Sequence, residues 1–396
     1  MDQVKPLKYR IHSIDIVRGV IMLIMALDHC RDFFHFREPQ FNPTNMATTT
    51  VFLFFTRWIT HFCAPVFVFL SGTSAYLSGI KRSKSELSAF LIKRGIWLIL
   101  ADIILFSFMM TFNPLYNVLV FGILSMIGSC MIILGLLIRA PLSVIGIIGG
   151  VIFFGHDLID FMQLPQTGIA NVLLKLFFTC KGTVLPIGSN HFILDLYAII
   201  PWTGVMLIGY VFGSLYQSTY DAQRRRKILL ITGISLTILF VLLRFINVYG
   251  DPAPWSVQRN FAHTLLSFLN TSKYPPSLLF LCMTLGPVLI LLSFIEKVQN
   301  RLTAVFMVYG NVPFFYFFLH LYLIRAINII LILASGLSLD KSKSPGFPFM
   351  LQPATFGYPL WVVYLIWVIV IVALYLPCKW YANYKRTHQQ WWLSYL

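Results

Sequence analysis

The sequence has few charged residues, and this scarcity decides its broad class. Only 11% of the 396 residues are charged, and Asp and Glu together number 14. Hydrophobic residues make up 58%, and the mean hydropathy is +0.78. A soluble domain usually carries about a quarter charged residues. Because long apolar runs recur along the whole chain, the composition excludes a soluble domain with one anchor and predicts a polytopic membrane protein.

Metal-binding and processing signals are also lacking. The six cysteines show no metal-ligand spacing and fall mostly inside apolar runs, so we expect packing residues and no metal cofactor. The apolar run that begins near residue 14 contains charges and has no small-residue cleavage site, which is typical of a retained first helix. The two halves of the chain show no internal repeat, which disfavours an inverted-repeat transporter.

Basic residues are in excess, with a formal net charge of +16, and they are unevenly distributed. Six segments predicted to be cytoplasmic hold 16 Lys and Arg in 59 residues, whereas five predicted to be outside hold 7 in 95. The cytoplasmic segments are 1–13, 80–87, 139–140, 217–227, 296–302 and 379–396, and the outer ones are 35–50, 113–114, 163–190, 250–275 and 335–357. This asymmetry predicts a plasma (inner) membrane protein with both termini cytoplasmic. The positive charge thus reflects topology and the lipid bilayer, and we expect no nucleic-acid partner.

The apolar runs predict an all-α fold with about ten transmembrane helices in one integral membrane domain, residues 1–396. An even number of spans agrees with two cytoplasmic termini. The sequence leaves open whether the chain forms a homo-oligomer. The predicted spans are about 14–34, 51–79, 88–112, 115–138, 141–162, 191–216, 228–249, 276–295, 303–334 and 358–378.

The first predicted span carries an unusual number of ionisable side chains. Its polar and methionine positions are separated by alternating steps of three and four residues, which places them on one face of a helix. This stripe consists of Asp15, Arg18, Met22, Met25, His29 and Asp32. Arg18 and His29 are three turns apart, roughly 16 Å along the helix axis. Ionisable groups at membrane depth are costly and usually face a cavity, so the stripe predicts a functional cavity.

Other spans contribute further polar side chains. Arg57 and His61 lie one turn apart in the second span, and Tyr316 and His320 lie one turn apart in the ninth. The ninth span is too long for one straight crossing and contains Gly-Asn-Val-Pro at 310–313, so we predict a break there. The residues expected to line a common tunnel are Asp15, Arg57, His61, Asn311, Tyr316 and His320.

This arrangement suits the transfer of a group across the membrane. A polyanionic carrier could bind cytoplasmic basic residues with its phosphates and extend an acyl arm inward. These basic residues are Arg18, Lys93 and Arg94. His29, nearer the outer side, could take a proton from an acceptor hydroxyl or amine, or could attack a thioester itself. The carboxylates of Asp28 and Asp32 are candidates to orient its imidazole.

Three other interpretations remain open at this stage. The same stripe could be the substrate and proton path of a transporter or proton-coupled permease. Asp15 and Arg18 could form a structural ion pair, and His61 or His320 could be a hydrogen-bonded contact between helices. An inert assembly partner is the third class, and it fits the polar interior least well.

Segments of four spans resemble a known family. The stretch Ser-Ile-Asp-Ile-Val-Arg-Gly at 13–19, followed by Asp28 and His29, resembles the first core helix of the heparan-α-glucosaminide N-acetyltransferase family and of related bacterial membrane proteins. The ten residues between Arg18 and His29 also resemble the Arg-x10-His motif of the acyltransferase-3 membrane proteins. Further segments that are similar to the first family are 64–72, 201–204 and 309–320.

This resemblance implies a ten-helix acyltransferase core with a central tunnel. It implies that acyl-CoA, first of all acetyl-CoA, enters from the cytoplasm and that the acceptor is a glycan, envelope component or amine on the far side. The acyltransferase-3 pattern implies His29 as the catalytic histidine. The N-acetyltransferase pattern has an asparagine at that place and its active histidine in the following loop. His35 is the only histidine of that loop here, so it is the second candidate.

Overall fold

The computed structural model describes residues 11–36, 42–180, 182–339, 352–353, 355–388 and 390–394. These residues are mostly helical. The helices are α1 His12–Phe34, α2 Val51–Thr60, α3 Cys63–Gly79, α4 Lys84–Ala101, α5 Ser107–Thr111, α6 Ile123–Leu137, α7 Leu142–Gly155, α8 Gly168–Leu174, α9 Ile199–Gly213, α10 Ala222–Ile246, α11 Phe261–Leu269, α12 Leu278–Ile295, α13 Arg301–Gly310, α14 Pro313–Ala334 and α15 Leu360–Thr387. The strands are β1 Val118–Phe121, β2 Thr183–Pro186 and β3 Phe192–Asp195.

Helix α1 lies at the centre of the bundle. It packs against α2, α3, α12, α13, α14 and α15, and its buried side chains lie on all sides of its axis. Asp15 in its first turn and Arg31 in its last turn complement the helix dipole. A helix enclosed by protein can carry charged side chains because each one finds a partner within the bundle. The structure confirms a helix over 14–34 and encloses most of its charges within the protein, the exception being the partly exposed Asp32.

Two glycines allow α1 and α13 to cross at very short range. A Cβ atom at Gly19 would lie 1.9 Å from the carbonyl oxygen of Phe306. A Cβ atom at Gly310 would lie 1.9 Å from the carbonyl oxygen of Asp15. Small residues at helix crossings are typical of membrane bundles because they let two backbones touch. The crossing brings the end of α13 beside the charged stripe of α1.

We expect Gly310→Ala to lower the thermal unfolding midpoint of the detergent-solubilised protein. The added methyl group meets backbone rather than a movable side chain, and such overpacking costs roughly 1–3 kcal/mol. Gly150→Ala on α7 is the matched control, because a Cβ atom there meets nothing within 4 Å. Equal midpoints for the two variants would contradict the close crossing.

Two long predicted spans are broken helices. Residues 51–79 divide into α2 and α3 at 61–62, and the ninth span divides into α13 and α14 at 311–312. The second break confirms the prediction made from the Gly-Asn-Val-Pro stretch. Pro313 is the first residue of α14, where its missing N–H would have no helical partner in any case. Both breaks place polar side chains inside the bundle.

A small sheet departs from the all-α prediction. β1 pairs in parallel with β3, and β2 pairs antiparallel with β3, in the order β1-β3-β2. β1 and β3 occupy the starts of the predicted spans 115–138 and 191–216, so these helices begin later, at Ile123 and Ile199. Each strand is a short apolar run, and periodicity alone does not distinguish such a run from part of a buried helix.

Seven helical segments of the described residues are long and apolar enough to cross a membrane, when α2 and α3 are counted together and the 3-10 turns that follow α7 and α9 are included. They are Val51–Gly79, Leu142–Phe161, Ile199–Tyr216, Ala222–Ile246, Leu278–Ile295, Pro313–Ala334 and Leu360–Thr387. The other three predicted spans also contain helices. α1 has 23 residues but carries five charged side chains, and α6 has 15 residues. α4 continues through the π-helical segment Asp102–Phe106 into α5, so that residues 84–111 form one long helix.

Candidate active site

A cavity of about 270 Å³ lies beside α1, between α3, α4, α6 and the break that precedes α14. Arg18, Met22 and Met25 line it from α1. Serine side chains of α3 and apolar side chains of α4, α6 and α14 form most of the remaining wall. Arg18, Met22 and Met25 of the predicted stripe thus face a cavity, whereas Asp15, His29 and Asp32 are not among the described residues that line it.

Arg18 is held firmly in the wall of this cavity. Its guanidinium group lies 3.0 Å from the Asp15 carboxylate. It also donates hydrogen bonds to the Ser74 hydroxyl at 3.0 Å and to the Gly310 carbonyl oxygen at 3.2 Å. These contacts join α1 to α3 and α13. The ion pair considered as a structural alternative is thus present, and the same arginine faces the cavity.

Two further cations line the cavity. Arg94 lies on α4, and Lys385 lies in the last turn of α15. Lys93 is exposed and is not among the described residues that line the cavity. The structure therefore brings Arg18 and Arg94 together and adds Lys385, while it leaves Lys93 outside. The sequence did not indicate Lys385, because no local pattern shows that the end of α15 returns to this cavity.

The stripe continues beyond Met25 to His29, one turn further along α1. The imidazole ring of His29 contacts that of His320 on α14, with their centroids 5.3 Å apart. Phe317 lines the cavity and packs edge-on against His320, with ring centroids 5.9 Å apart. The two histidines therefore lie next to the cavity, further towards the C-terminal end of α1 than Arg18.

His320 is fully buried, and its ring is fixed by its own helix. Its Nδ1 lies 2.8 Å from the carbonyl oxygen of Tyr316, and the Tyr316 ring stacks on it with centroids 4.9 Å apart. A carbonyl oxygen only accepts hydrogen bonds, so Nδ1 carries the hydrogen of the neutral ring and Nε2 keeps its lone pair. Among the described residues, Nε2 has no hydrogen-bond partner. His320 thus presents a rigid imidazole to His29.

Asp28 is the centre of an ion network between α1 and α2. Its carboxylate accepts hydrogen bonds from Arg57 at 2.8 and 2.9 Å and from the Thr60 hydroxyl at 2.8 Å. The Arg31 guanidinium lies 2.7 Å from the same carboxylate. Three donors occupy this side chain, which favours a structural role over the predicted role of orienting His29.

Asp32 and His35 lie at the open end of α1. The Asp32 carboxylate is 2.6 Å from the Arg31 guanidinium, and the Asp32 side chain is 41% exposed. Nδ1 of His35 lies 3.0 Å from the carbonyl oxygen of Tyr358, and burial lowers the pKa of this imidazole. His29 is thus the candidate that continues the cavity-lining face of α1, whereas His35 follows the end of the helix.

Of the remaining predicted tunnel residues, one lies in the cavity wall, one lies beside the histidine pair, and His61 lies in neither place. Asn311 lines the cavity directly at the break before α14. Tyr316 is fully buried and stacks on the imidazole of His320. His61 lies at the break between α2 and α3 with only 3% exposed, and its ring contacts that of Phe280 at 5.4 Å.

The comparison with known families gives this geometry a context. The family model described as heparan-alpha-glucosaminide N-acetyltransferase, catalytic, matches residues 10–243, which is more than half of the chain. The chain belongs to this family. No curated protein matches it. Membership in the N-acetyltransferase family confirms the resemblance predicted from the sequence and indicates a transmembrane acetyltransferase.

The matched region contains only part of the site of this N-acetyltransferase family member. It includes Arg18 and His29 on α1 and Arg57 on α2, and it ends within α10. Asn311 and His320 lie beyond it. The second half of the chain therefore completes the cavity and supplies the partner ring of His29. The resemblance to acyltransferase-3 proteins still rests on the spacing of Arg18 and His29.

Proposed function

We propose that this chain transfers an acetyl group from cytoplasmic acetyl-CoA to a hydroxyl or amine of a sugar or envelope component on the other side of the membrane. One observation carries the proposal: a single face of α1 has Arg18 in a cavity with other cations and His29 three turns further on. Guanidinium and ammonium groups suit the phosphates of CoA. Family membership supports acetyl transfer and does not favour a transporter.

In the proposed reaction, Arg18, Arg94 and Lys385 bind the phosphates, and the thioester arm extends along the cavity. His29 takes the proton of the acceptor hydroxyl or amine as that oxygen or nitrogen attacks the thioester carbonyl. The C–S bond breaks, and the imidazolium returns the proton to the CoA sulfur. The products are the acetylated acceptor and CoA. His320 has a positioning role, because its fixed ring restricts the orientation of His29.

A covalent route is the second form of the same proposal. His29 would then attack the thioester itself and carry the acetyl group before the acceptor binds. The two routes differ in their kinetics. Mixing the protein with acetyl-CoA in the absence of acceptor gives a burst of one CoA per active site only when His29 becomes acetylated.

We further propose one integral membrane domain with ten spans and both termini cytoplasmic. The seven candidate helices, together with α1, residues 84–111 and α6, make ten. The excess of Lys and Arg in alternate loops assigns those loops, and both termini, to the cytoplasmic side. Cysteine accessibility in intact cells tests this topology. Val257→Cys should be labelled from outside and Ser85→Cys only after the membrane is opened, and the reverse pattern would overturn the assignment of sides.

We expect Arg18→Gln to weaken acetyl-CoA binding about tenfold, because a lost hydrogen bond to a charged group costs about 1.5–3 kcal/mol. Titration of the purified protein with acetyl-CoA measures the dissociation constant. Lys93→Gln is the matched control, since it removes the same charge from an exposed side chain outside the cavity. We expect Arg94→Gln to weaken acetyl-CoA binding to a similar extent as Arg18→Gln. Equal weakening by Lys93→Gln would show that general surface charge, and not the cavity, binds CoA.

A further inference from the structure

A second cavity, of about 530 Å³, lies where α3 and α9 end and where α4 and α7 begin. It is lined in part by three of the segments that the charge distribution assigns to the cytoplasm, which are 80–87, 139–140 and 217–227. Among the described residues, it shares no lining side chain with the cavity beside α1. The second cavity is therefore a separate feature at the cytoplasmic ends of the helices.

Close helix packing builds one wall of the second cavity. α3 and α9 cross where a Cβ atom at Gly72 would lie 2.1 Å from the carbonyl oxygen of Met206. One turn further along α3, the ring of Tyr76 packs against that of Tyr210, with centroids 5.2 Å apart. Both rings line the second cavity. Since two backbones in contact cannot shift independently, this wall is fixed by the bundle itself.

Two cations line the second cavity at the start of α4, Arg82 and Lys84. The Lys84 ammonium donates hydrogen bonds to the carbonyl oxygens of Arg139 and Ala140, at 3.0 and 3.4 Å. An ammonium group has three N–H donors, so one remains for a ligand. The guanidinium group of Arg82 donates to the carbonyl oxygen of Ser78. Neutral carbonyl groups thus hold both cations in place.

The lining of the second cavity has a net positive charge. Among the described residues, no carboxylate lines it or forms an ion pair with Arg82 or Lys84. Glu86 is within electrostatic range of Arg82, but its carboxylate caps α4, where it accepts from the Ser83 N–H at 2.8 Å and the Ser83 hydroxyl at 2.9 Å. Neutral hydrogen-bonding side chains complete the polar rim, namely Gln217, Ser218 and Thr219. Cations beside neutral donors suit a phosphate group.

Another wall of the second cavity is apolar and belongs to α7. Leu142 and Ile145 line the cavity. Further along α7, Ile147 and Val151 are 65% and 67% exposed, as expected for a helix that faces lipid. A polar, positive rim beside an apolar helix matches the two parts of a phospholipid, its headgroup and its acyl chains. A water-soluble phosphate compound would gain nothing from the apolar wall.

We propose that the second cavity binds the headgroup of an anionic phospholipid of the cytoplasmic leaflet, with an acyl chain lying along α7. Arg82 and Lys84 bind the phosphate, and the rim of 217–219 donates further hydrogen bonds. Basic pockets between transmembrane helices on the cytoplasmic side bind such headgroups in other membrane proteins. This inference rests on the proposed topology, which places these loops at headgroup level, and goes beyond the proposed acetyl transfer.

The test titrates the detergent-solubilised full chain with three probes, which are dioctanoyl phosphatidylglycerol, dioctanoyl phosphatidylcholine and glycerol phosphate. Phosphatidylglycerol should bind saturably, more tightly than the other two, and should raise the thermal unfolding midpoint because it binds the folded state. The double variant Arg82→Gln with Lys84→Gln should weaken phosphatidylglycerol binding about tenfold or more, since both cations near the phosphate are lost.

Arg224→Gln with Lys227→Gln is the matched control, because it removes the same charge from exposed side chains of another cytoplasmic segment, outside the second cavity. This control should bind phosphatidylglycerol as the unaltered protein does. Equal affinities of the two double variants would overturn the proposal, as would phosphatidylglycerol binding no tighter than phosphatidylcholine. Glycerol phosphate that binds as tightly as phosphatidylglycerol would show a site for a soluble phosphate compound, which also overturns it.

Acetyl-CoA titration of the same samples separates this inference from the proposed function. The Arg82 and Lys84 double variant should keep the acetyl-CoA affinity of the unaltered protein. A tenfold loss there would assign the second cavity to the acyl donor and overturn the lipid proposal. If the unaltered protein binds phosphatidylglycerol but no acetyl-CoA, the proposed function fails and the lipid site stands.

Discussion

His29→Ala is expected to lower the rate of acetyl transfer by about 10²–10⁴, the usual contribution of a general acid–base group. The physical reason is position: His29 continues the cavity-lining face of α1 and touches the fixed ring of His320. Acetyl-CoA affinity should stay unchanged, because the cations that bind the phosphates lie three turns away. Release of the CoA thiol by purified protein measures the rate, and titration measures the affinity.

His35→Ala is the control for this variant. Its imidazole contacts the Tyr358 carbonyl oxygen beyond the end of α1, so we expect a change of only a few-fold. The rate of acetyl transfer by His320→Ala should lie between those of the other two variants, because this substitution removes a ring that orients His29 without removing the reacting group. If His35→Ala abolished the reaction and His29→Ala did not, the assignment of the catalytic histidine would be reversed.

Asp28→Ala is expected to destabilise the protein by about 3–5 kcal/mol, the cost of breaking a buried ion pair from one side. The substitution leaves the guanidinium groups of Arg31 and Arg57 without their shared carboxylate. The thermal or denaturant-induced unfolding of the detergent-solubilised protein measures the loss. Asp32→Ala removes a carboxylate of which the side chain is 41% exposed, so we expect less than about 1 kcal/mol.

A second variant keeps this prediction testable if Asp28→Ala does not fold. The double variant Asp28→Ala with Arg57→Ala also removes one of the two guanidinium groups that have lost the Asp28 carboxylate. It should therefore recover part of the free energy of unfolding. A protein with Asp28→Ala that is fully stable but inactive would contradict the structural role. That outcome would return Asp28 to its predicted role of orienting His29.

Local patterns predicted a large part of this site. The alternating steps along α1 needed only the geometry of a single helix, so the sequence predicted that Arg18, Met22 and Met25 share a face, and this face lines the cavity. The Gly-Asn-Val-Pro stretch at 310–313 likewise predicted the break before α14, because glycine and proline each affect the conformation of their own backbone. His320 was placed near the middle of its span by counting residues, and the structure brings it to His29.

Contacts between distant segments could not be predicted in this way. Lys385 lies in the last turn of α15, and only the folded bundle brings it to the cavity beside α1. The partners of Asp28 were missed for the same reason, since Arg57 and Thr60 come from α2. β1 and β3 were predicted as helix starts because a four-residue apolar run does not distinguish a strand from part of a buried helix.

The most direct test of the proposed transfer along α1 is an experimental structure of the protein with acetyl-CoA bound. We expect the phosphates to lie within hydrogen-bond distance, roughly 3 Å, of Arg18, Arg94 or Lys385. We also expect the thioester carbonyl carbon to lie beside the imidazole of His29. Acetyl-CoA bound outside this cavity, or with its thioester beside His35 and away from His29, would contradict the proposed transfer.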